Sequence, residues 1–206
     1  EAGNLVIQLM MTGQLIYGKA LKKAKVQFYL SDGHCLNYND QRLFGRLHFV
    51  RDLNEIKYFQ SLGPDPLMGG LHVDDLKKAL AARKAPIKSL LMNQNFMAGI
   101  GNIYACEILF GSRIHPQRPA DTLVAPEIES LYQTTVSTLK EAVRFRGTSL
   151  NTYRDLNGEK GKFLHRLKVY GREGEVCFQC QTPIERIVQA GRSTFFCRRC
   201  QRFEGS

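Results

Sequence analysis

Four cysteines carry the clearest chemistry in this chain: Cys177-Phe-Gln-Cys180 and, sixteen residues further on, Cys197-Arg-Arg-Cys200. Each pair offers two thiolates from one tight turn, and the stretch between them is long enough for a single hairpin. That spacing fits a tetrahedral four-cysteine site for one structural zinc. The alternatives are a disulfide-stapled tail and a zinc knot that only holds the C-terminus together. Two further, widely separated cysteines, Cys35 and Cys106, speak for a reduced chain and against the disulfide, and both read as small buried apolar residues. Arg186, Arg192, Arg198, Arg199 and Arg202 crowd the same module and speak against a purely structural knot. Between the pairs, Ile184 and Ile187-Val188 predict one strand and Thr194-Phe195-Phe196 its return. The connection then presents Arg192, Ser193 and Thr194 at the tip of a ribbon.

A second group suited to binding is Gly99-Ile-Gly-Asn102 at the opening of a predicted helix. Backbone N–H groups exposed there favour an anion, and Asn102 adds an amide donor. The same residues fit plain turn chemistry, with Asn102 as the helix cap. The charge balance favours a ligand: 29 lysines and arginines against 19 acids leave the chain at +10. Such a surplus suits a polyanion, nucleic acid first and an acidic membrane surface second. No apolar run reaches bilayer length and no signal-peptide pattern opens the chain, so a soluble intracellular protein without a membrane partner is expected.

The elements that must position these groups fall into two periodicities. Up to Val50 the pattern is that of strands: Leu5–Met11, Gln14–Tyr17, Val26–Leu30, Cys35–Tyr38 and Arg46–Val50, with Ser31-Asp32-Gly33 as a hairpin turn. This antiparallel unit needs partners to close a core, and some of them are expected to be missing. Beyond the corner Gly63-Pro-Asp-Pro66 the period becomes helical, over Val73–Leu80, after Pro86, after Asn102, and from Pro126 to a stop at Gly147. On the third of these helices the inner face is Ile103, Cys106, Leu109 and Phe110. On the last it is Ile128, Leu131, Tyr132, Val136, Leu139 and Val143. The polar stretch from Thr148 to Phe163 is too long for a turn and reads as a mobile loop.

Leu91-Met-Asn-Gln, Ala98-Gly-Ile-Gly-Asn-Ile-Tyr-Ala105, Ile114-His-Pro116, Arg118-Pro119, Val169-Tyr-Gly-Arg-Glu-Gly174 and Gly191-Arg-Ser-Thr-Phe-Phe-Cys197 closely resemble the bacterial formamidopyrimidine-DNA glycosylase and endonuclease VIII family. The formamidopyrimidine branch is favoured. The resemblance implies an α+β protein: a partial N-terminal antiparallel β-sandwich over 1–62, a helix–two-turn–helix lobe over 63–170 with a lesion-capping loop near 148–163, and a four-cysteine zinc ribbon over 171–206. It implies base-excision repair, with binding of damaged double-stranded DNA, removal of oxidised purines and associated abasic-site lyase activity. Asn102 and Arg192 match the residues that grip phosphates flanking an extruded nucleotide, and Arg83 and Arg42 match further DNA contacts. Met11, Arg42 and Phe44 match the wedge that fills the gap left by a flipped base, where ordinary core packing is the competing reading for Met11 and Phe44. A monomer acting in the bacterial cytoplasm at the nucleoid is implied as well.

The chain departs from the family pattern in places. Arg42-Leu43 stands where paired arginines are usual, which removes one phosphate contact. Gln8-Leu-Met-Met11 replaces a His-Leu-Gly-Met motif, and Lys23 and Lys25 stand in for histidines. Family members begin with a proline whose secondary amine attacks C1′, followed by a catalytic glutamate, and a catalytic lysine lies shortly before the strand at Leu5. No residue here is matched to any of the three, so no catalytic residue is assigned. The expectation is a chain without its catalytic segment that binds abasic-site DNA but is itself inactive. The competing class is a non-catalytic zinc-dependent DNA-binding module.

Overall fold

The structure is a computed structural model and describes residues 2–149 and 153–203. Five strands open it: β1 (Asn4–Gln8), β2 (Gly13–Gly18), β3 (Val26–Tyr29), β4 (Cys35–Asp40) and β5 (Arg46–Val50). β1 pairs antiparallel with β5, and β4 lies between β2 and β3. These are the two sheets of an N-terminal β-sandwich. The central strand is the buried one, with Cys35, Asn37, Tyr38 and Asp40 inside. Burying Asn37 requires that its amide be satisfied: Nδ2 donates to the carbonyls of Ile16 and Lys19, and Oδ1 accepts from Leu21 N and Gln27 Nε2. The lysine-rich connection after β2 is thereby tied to β4.

Five helices follow: α1 (Lys57–Gln60), α2 (Val73–Ala81), α3 (Ile87–Leu91), α4 (Asn102–Gly111) and α5 (Ala125–Arg144). The zinc-ribbon strands β6 (Glu185–Gln189) and β7 (Arg192–Phe196) close the chain. By packing, residues 1–60 and 142–165 form one compact unit and residues 61–141 and 166–206 another. The segment after α5 thus packs with the strands, and the ribbon packs with the helices, which differs from the three consecutive stretches drawn from the sequence.

α4 is the centre of the second unit. Its residues 105–110 are buried on every face, as expected of a helix covered on both sides. One side packs with Leu76, Leu80, Ile87, Leu91 and Leu131 of the neighbouring helices. On the other, Cys106 and Phe110 meet Val169, Ile184 and Phe195 of the ribbon module. Truncating Phe110 to alanine would cost about 3–5 kcal/mol, because it fills the joint between these layers. α4 and α5 come close at Gly111, where an added Cβ would lie 2.7 Å from Thr134 Cγ2. Four expected inner-face positions differ: Val143 is exposed, and Ile103, Tyr132 and Val136 are half-buried. Val143 lies past Leu139, the last residue of α5 in that core cluster.

The end of α5 behaves as its sequence suggests. Gly147 takes φ +78°, and its N–H returns to Ala142 O, closing the helix. In the segment that follows, Arg146 pairs with Asp155 and Glu159 at 3.0 and 2.8 Å, and Ser149 accepts from Gly161 N. Part of the expected capping loop, residues 150–152, lies outside the described residues.

Candidate nucleic-acid interface and metal centre

The ribbon is built from two similar knuckles. In each, an N–H four residues after the first cysteine returns to its carbonyl, Gln181 to Cys177 and Gln201 to Cys197, both at 2.9 Å. Gln201 is buried and bonds the second knuckle to the turn after α4, receiving Cys197 N and donating to Ile114 O. The four sulfurs converge to within 4.8 Å of one another, with Cys177–Cys200 at 3.9 Å and Cys180–Cys197 at 3.4 Å. A tetrahedral ion with bonds of about 2.3 Å needs sulfurs about 3.8 Å apart. Donor type, number and spacing all fit, so these four thiols form the site of one structural zinc. The two remaining cysteines, Cys35 and Cys106, are buried.

From the knuckles, β6 and β7 run out to a two-residue turn, Ala190-Gly191, in which both residues have positive φ, 49° and 70°. Such a turn matches the twist of a tight hairpin. It leaves Arg192 exposed at the tip. Thr194 does not share that exposure. It points inward and is fully buried, which corrects the expectation of two hydroxyls at the tip.

Its partner is Lys88, which the sequence reading passed over. This lysine on α3 is 1% exposed, and its ammonium donates to Asn102 Oδ1 at 2.6 Å and Thr194 Oγ1 at 2.7 Å. A buried charge is tolerated only when so bonded. Burial pushes Lys88 below the ordinary lysine range, with the Arg192 charge acting in the same direction and Cys106 opposing it. Asn102 in turn donates through Nδ2 to Ser193 O at 2.9 Å. Asn102 is therefore not the cap of α4. Gly101 holds that position without a side-chain bond, and Asn102 is the first helical residue. The reason is competition: a lysine and a β-strand carbonyl engage both ends of the amide. The N-terminal N–H groups of α4 thus have no side-chain cap. Beside this joint a cavity of about 200 Å³ is lined by Lys88, Ser89, Asn93, Gln189 and Arg192. Gln189 Oε1 is buried there with no hydrogen-bond partner among the described residues.

Glu107 is a second residue that sequence reasoning missed. Its carboxylate lies inside α4 and accepts the N–H groups of Lys168, Val169 and Tyr170 at 2.8, 3.0 and 2.8 Å. Burial pushes its carboxyl up, and those three donors oppose the shift. The effect is to bind the segment leading into the ribbon to α4. A signal existed: one acid inside the run Ala105–Phe110, otherwise apolar.

Met11, Arg42 and Phe44 come together on the first unit. They are not core residues: Met11 is 71% and Phe44 51% exposed. The Arg42 guanidinium lies 4.6 Å over the Phe44 ring, and its Nη1 is 3.6 Å from Met11 Sδ. Beneath them, buried Asp40 accepts from the Thr12 hydroxyl, from Tyr38 at 3.1 Å, from Arg42 N at 3.2 Å and from Gly45 N at 2.8 Å. These bonds, Thr12 foremost, hold its carboxyl far below the usual range. Asp40 thus fixes both loops whose side chains project. Gly45 is required, since a Cβ there would lie 1.8 Å from Tyr38 Oη. Leu43, at φ +56°, is turned outward and exposed. Arg83 stands apart from both groups. Two residues past the end of α2, it donates to Ala79 O of that helix at 2.6 Å and stacks over Phe96.

Comparison with known proteins agrees along the chain. The profile of the formamidopyrimidine-DNA glycosylase N-terminal domain matches residues 1–47, that of the H2TH domain residues 62–154, and that of the zinc finger found in FPG and IleRS residues 174–202. The formamidopyrimidine-DNA glycosylase of Desulforamulus reducens is 42% identical over 205 residues, 97% of this chain and 74% of that protein. The chain belongs to the formamidopyrimidine-DNA glycosylase family. The crystal structure of the MutM (Fpg) protein of Thermus thermophilus superposes with a TM-score of 0.87 at 40% identity, covering 96% of this chain and 75% of that one. A Lactococcus lactis Fpg, solved with DNA containing an abasic site, gives 0.87 at 30% identity, over 97% of this chain and 75% of its own. The match of the N-terminal domain to residues 1–47 means that the expectation of a missing catalytic segment, and of an inactive chain, is not borne out. Among the described residues, no helix is long and apolar enough to cross a membrane.

Proposed function

We propose that this chain acts in base-excision repair: it binds damaged double-stranded DNA, removes oxidised purines and carries the family's abasic-site lyase activity. The observation that supports this most is the Lys88–Asn102–Thr194 joint, in which the lysine and the threonine are buried. It fixes the uncapped opening of α4 to the hairpin that carries Arg192. In this reading a DNA phosphate sits between the α4 N–H groups and the Arg192 guanidinium, with Asn102 holding the two together and contributing its amide. Charge-assisted contacts of this kind need no reorganisation when the ligand arrives.

Met11, Arg42 and Phe44 serve as the wedge. Extruding a nucleotide costs a few kcal/mol of stacking, and an apolar side chain with an arginine on an aromatic ring offsets it by filling the gap. Arg83 adds a phosphate contact. Residues near 148–163 close over the extruded base, and the protein works as a monomer at the bacterial nucleoid. The three consecutive regions 1–62, 63–170 and 171–206 correspond to wedge-bearing, helical and ribbon parts. No nucleophile is assigned among these residues.

The test uses the zinc-loaded protein with otherwise identical duplexes containing an oxidised purine, an abasic site or no damage. Tighter binding to the damaged duplexes with strand cleavage at the lesion is expected. Equal binding to all three without cleavage would identify a zinc-dependent DNA-binding module instead, a reading that the named relatives do not favour.

A further inference from the structure

A second group of arginines lies at the far ends of the same two elements. α4 opens at Asn102 and runs ten residues to Gly111, about 15 Å, while the β6–β7 hairpin returns from Arg192 to the zinc knuckles. At those far ends a cavity of about 520 Å³, bordering the metal centre at Cys180 and Cys200, is lined by Arg113, Arg118, Arg199 and Arg202, together with Glu127 and Gln179. Among the described residues, only Arg118 is committed to an acidic partner. It pairs with Glu127 and bonds the hydroxyl and carbonyl of Thr122 at 3.2 and 2.8 Å. Glu127 also accepts Val124 N at 2.9 Å, so the cavity's one carboxylate is used up. Arg113, Arg199 and Arg202 have no acidic partner among the described residues.

Structural explanations account for part of this. The C-terminal end of α4 favours a cation, which suits Arg113, and a zinc tetrathiolate carries a double negative charge. Yet the four guanidiniums outweigh that centre and Glu127 together. Arg113 is also held at φ +59°, in the position after a helix where glycine is usual. A second cavity of about 390 Å³ shares Arg118 and Arg202 and adds Thr122 and Phe203, so the basic lining continues as a groove past an aromatic ring.

We propose that this groove is a second anion site, separate from Asn102 and Arg192, and that its ligand carries successive phosphate groups. Guanidinium forks match phosphate oxygens, and several along a groove match a chain of phosphates better than a single ion. Two sources share that chemistry: the backbone of a nucleic acid beyond the stretch gripped at Arg192, and a free polyphosphate such as a nucleoside triphosphate. The inference stands whether or not the chain excises bases.

Zinc-loaded protein is titrated with inorganic tripolyphosphate while the arginine Nε–H NMR signals are followed. The signals of Arg113, Arg199 and Arg202 move together and saturate, and Arg113→Gly with Arg199→Ala weakens binding roughly tenfold or more at unchanged zinc content. Should that double variant lose zinc, Arg202→Ala supplies the same comparison. Competing undamaged duplexes of two lengths then separate the sources. Displacement of tripolyphosphate by the longer duplex alone assigns the groove to nucleic-acid backbone, and displacement by neither assigns it to a free polyphosphate. Absence of a saturable shift at these three arginines, or a shift that persists in the variants, overturns the proposal.

Discussion

The region proposed to grip phosphate and the proposed wedge face opposite problems. At Arg192 the exposed charge rests on a joint of polar groups, buried Lys88 and Thr194 with half-buried Asn102, whose partners are side chains or strand carbonyls. At Met11, Arg42 and Phe44 the exposed side chains touch one another, and Asp40 secures the loops beneath them. A contact with a fixed charge gains from rigidity. A wedge must stay exposed to enter a base stack, so support reaches it through the backbone. The two regions should therefore fail differently when their supports are removed.

The largest effect is expected where both metal and hairpin are lost. Cys197→Ser should release about one equivalent of zinc and unfold the ribbon, abolishing DNA binding while β1–β5 keep their circular dichroism. Retained metal and affinity would show that the ribbon does not depend on zinc. Next comes Lys88→Met. It leaves Asn102 Oδ1 and Thr194 without their donor, which should weaken DNA binding by roughly 1–3 kcal/mol on every sequence alike. Its pH signature has a definite sign. Folded Lys88 is depressed below its unfolded value of about 10.4, so the folded protein binds fewer protons between the two values. Wild-type stability should rise with pH across that interval and be lost as pH falls through the folded value, and Lys88→Met should remove the rise.

Asp40→Asn should act on the wedge without touching the phosphate grip. Preference for abasic over undamaged duplex should fall while the salt dependence of binding stays as in wild type, since the number of phosphate contacts is unchanged. Asp40 is depressed in the folded state, so its stabilising effect is complete at neutral pH and lost as pH drops below the ordinary carboxylate range. A melting series in acid should show that loss in wild type and not in the variant. The smallest effect on stability belongs to Phe44→Ala. An exposed ring should cost less than about 0.5 kcal/mol on removal, yet lower the preference for damaged DNA. A large drop in melting temperature would restore the core-packing reading that its exposure excludes.

Periodic and spaced features were legible in the sequence. The five strands, the approximate starts of α2 to α5 and the four-cysteine site follow from alternation, proline and glycine placement, and C-x-x-C spacing. What was not legible depends on contacts far apart in the chain. Lys88 and Thr194 are 106 residues apart, and a lysine on a five-residue helix is ordinarily solvent-facing. Asn102 looked like a cap because the local rule fits it, and only the ribbon's arrival reveals the stronger partners. Asp40 and Gly45 bracket a turn in a recognisable way, but nothing local says that Thr12 would complete it.

The central claim is that a phosphate contact at Arg192 is prebuilt by the Lys88 joint. A double-mutant cycle of Lys88→Met and Arg192→Ala, read as affinity for an abasic-site duplex with zinc content verified, addresses it most directly. Arg192→Ala should reduce the salt slope by roughly one. The two substitutions should couple by at least about 0.5 kcal/mol, the double variant being little weaker than the worse single one. Full additivity, or an unchanged salt slope on removing Arg192, would contradict the account.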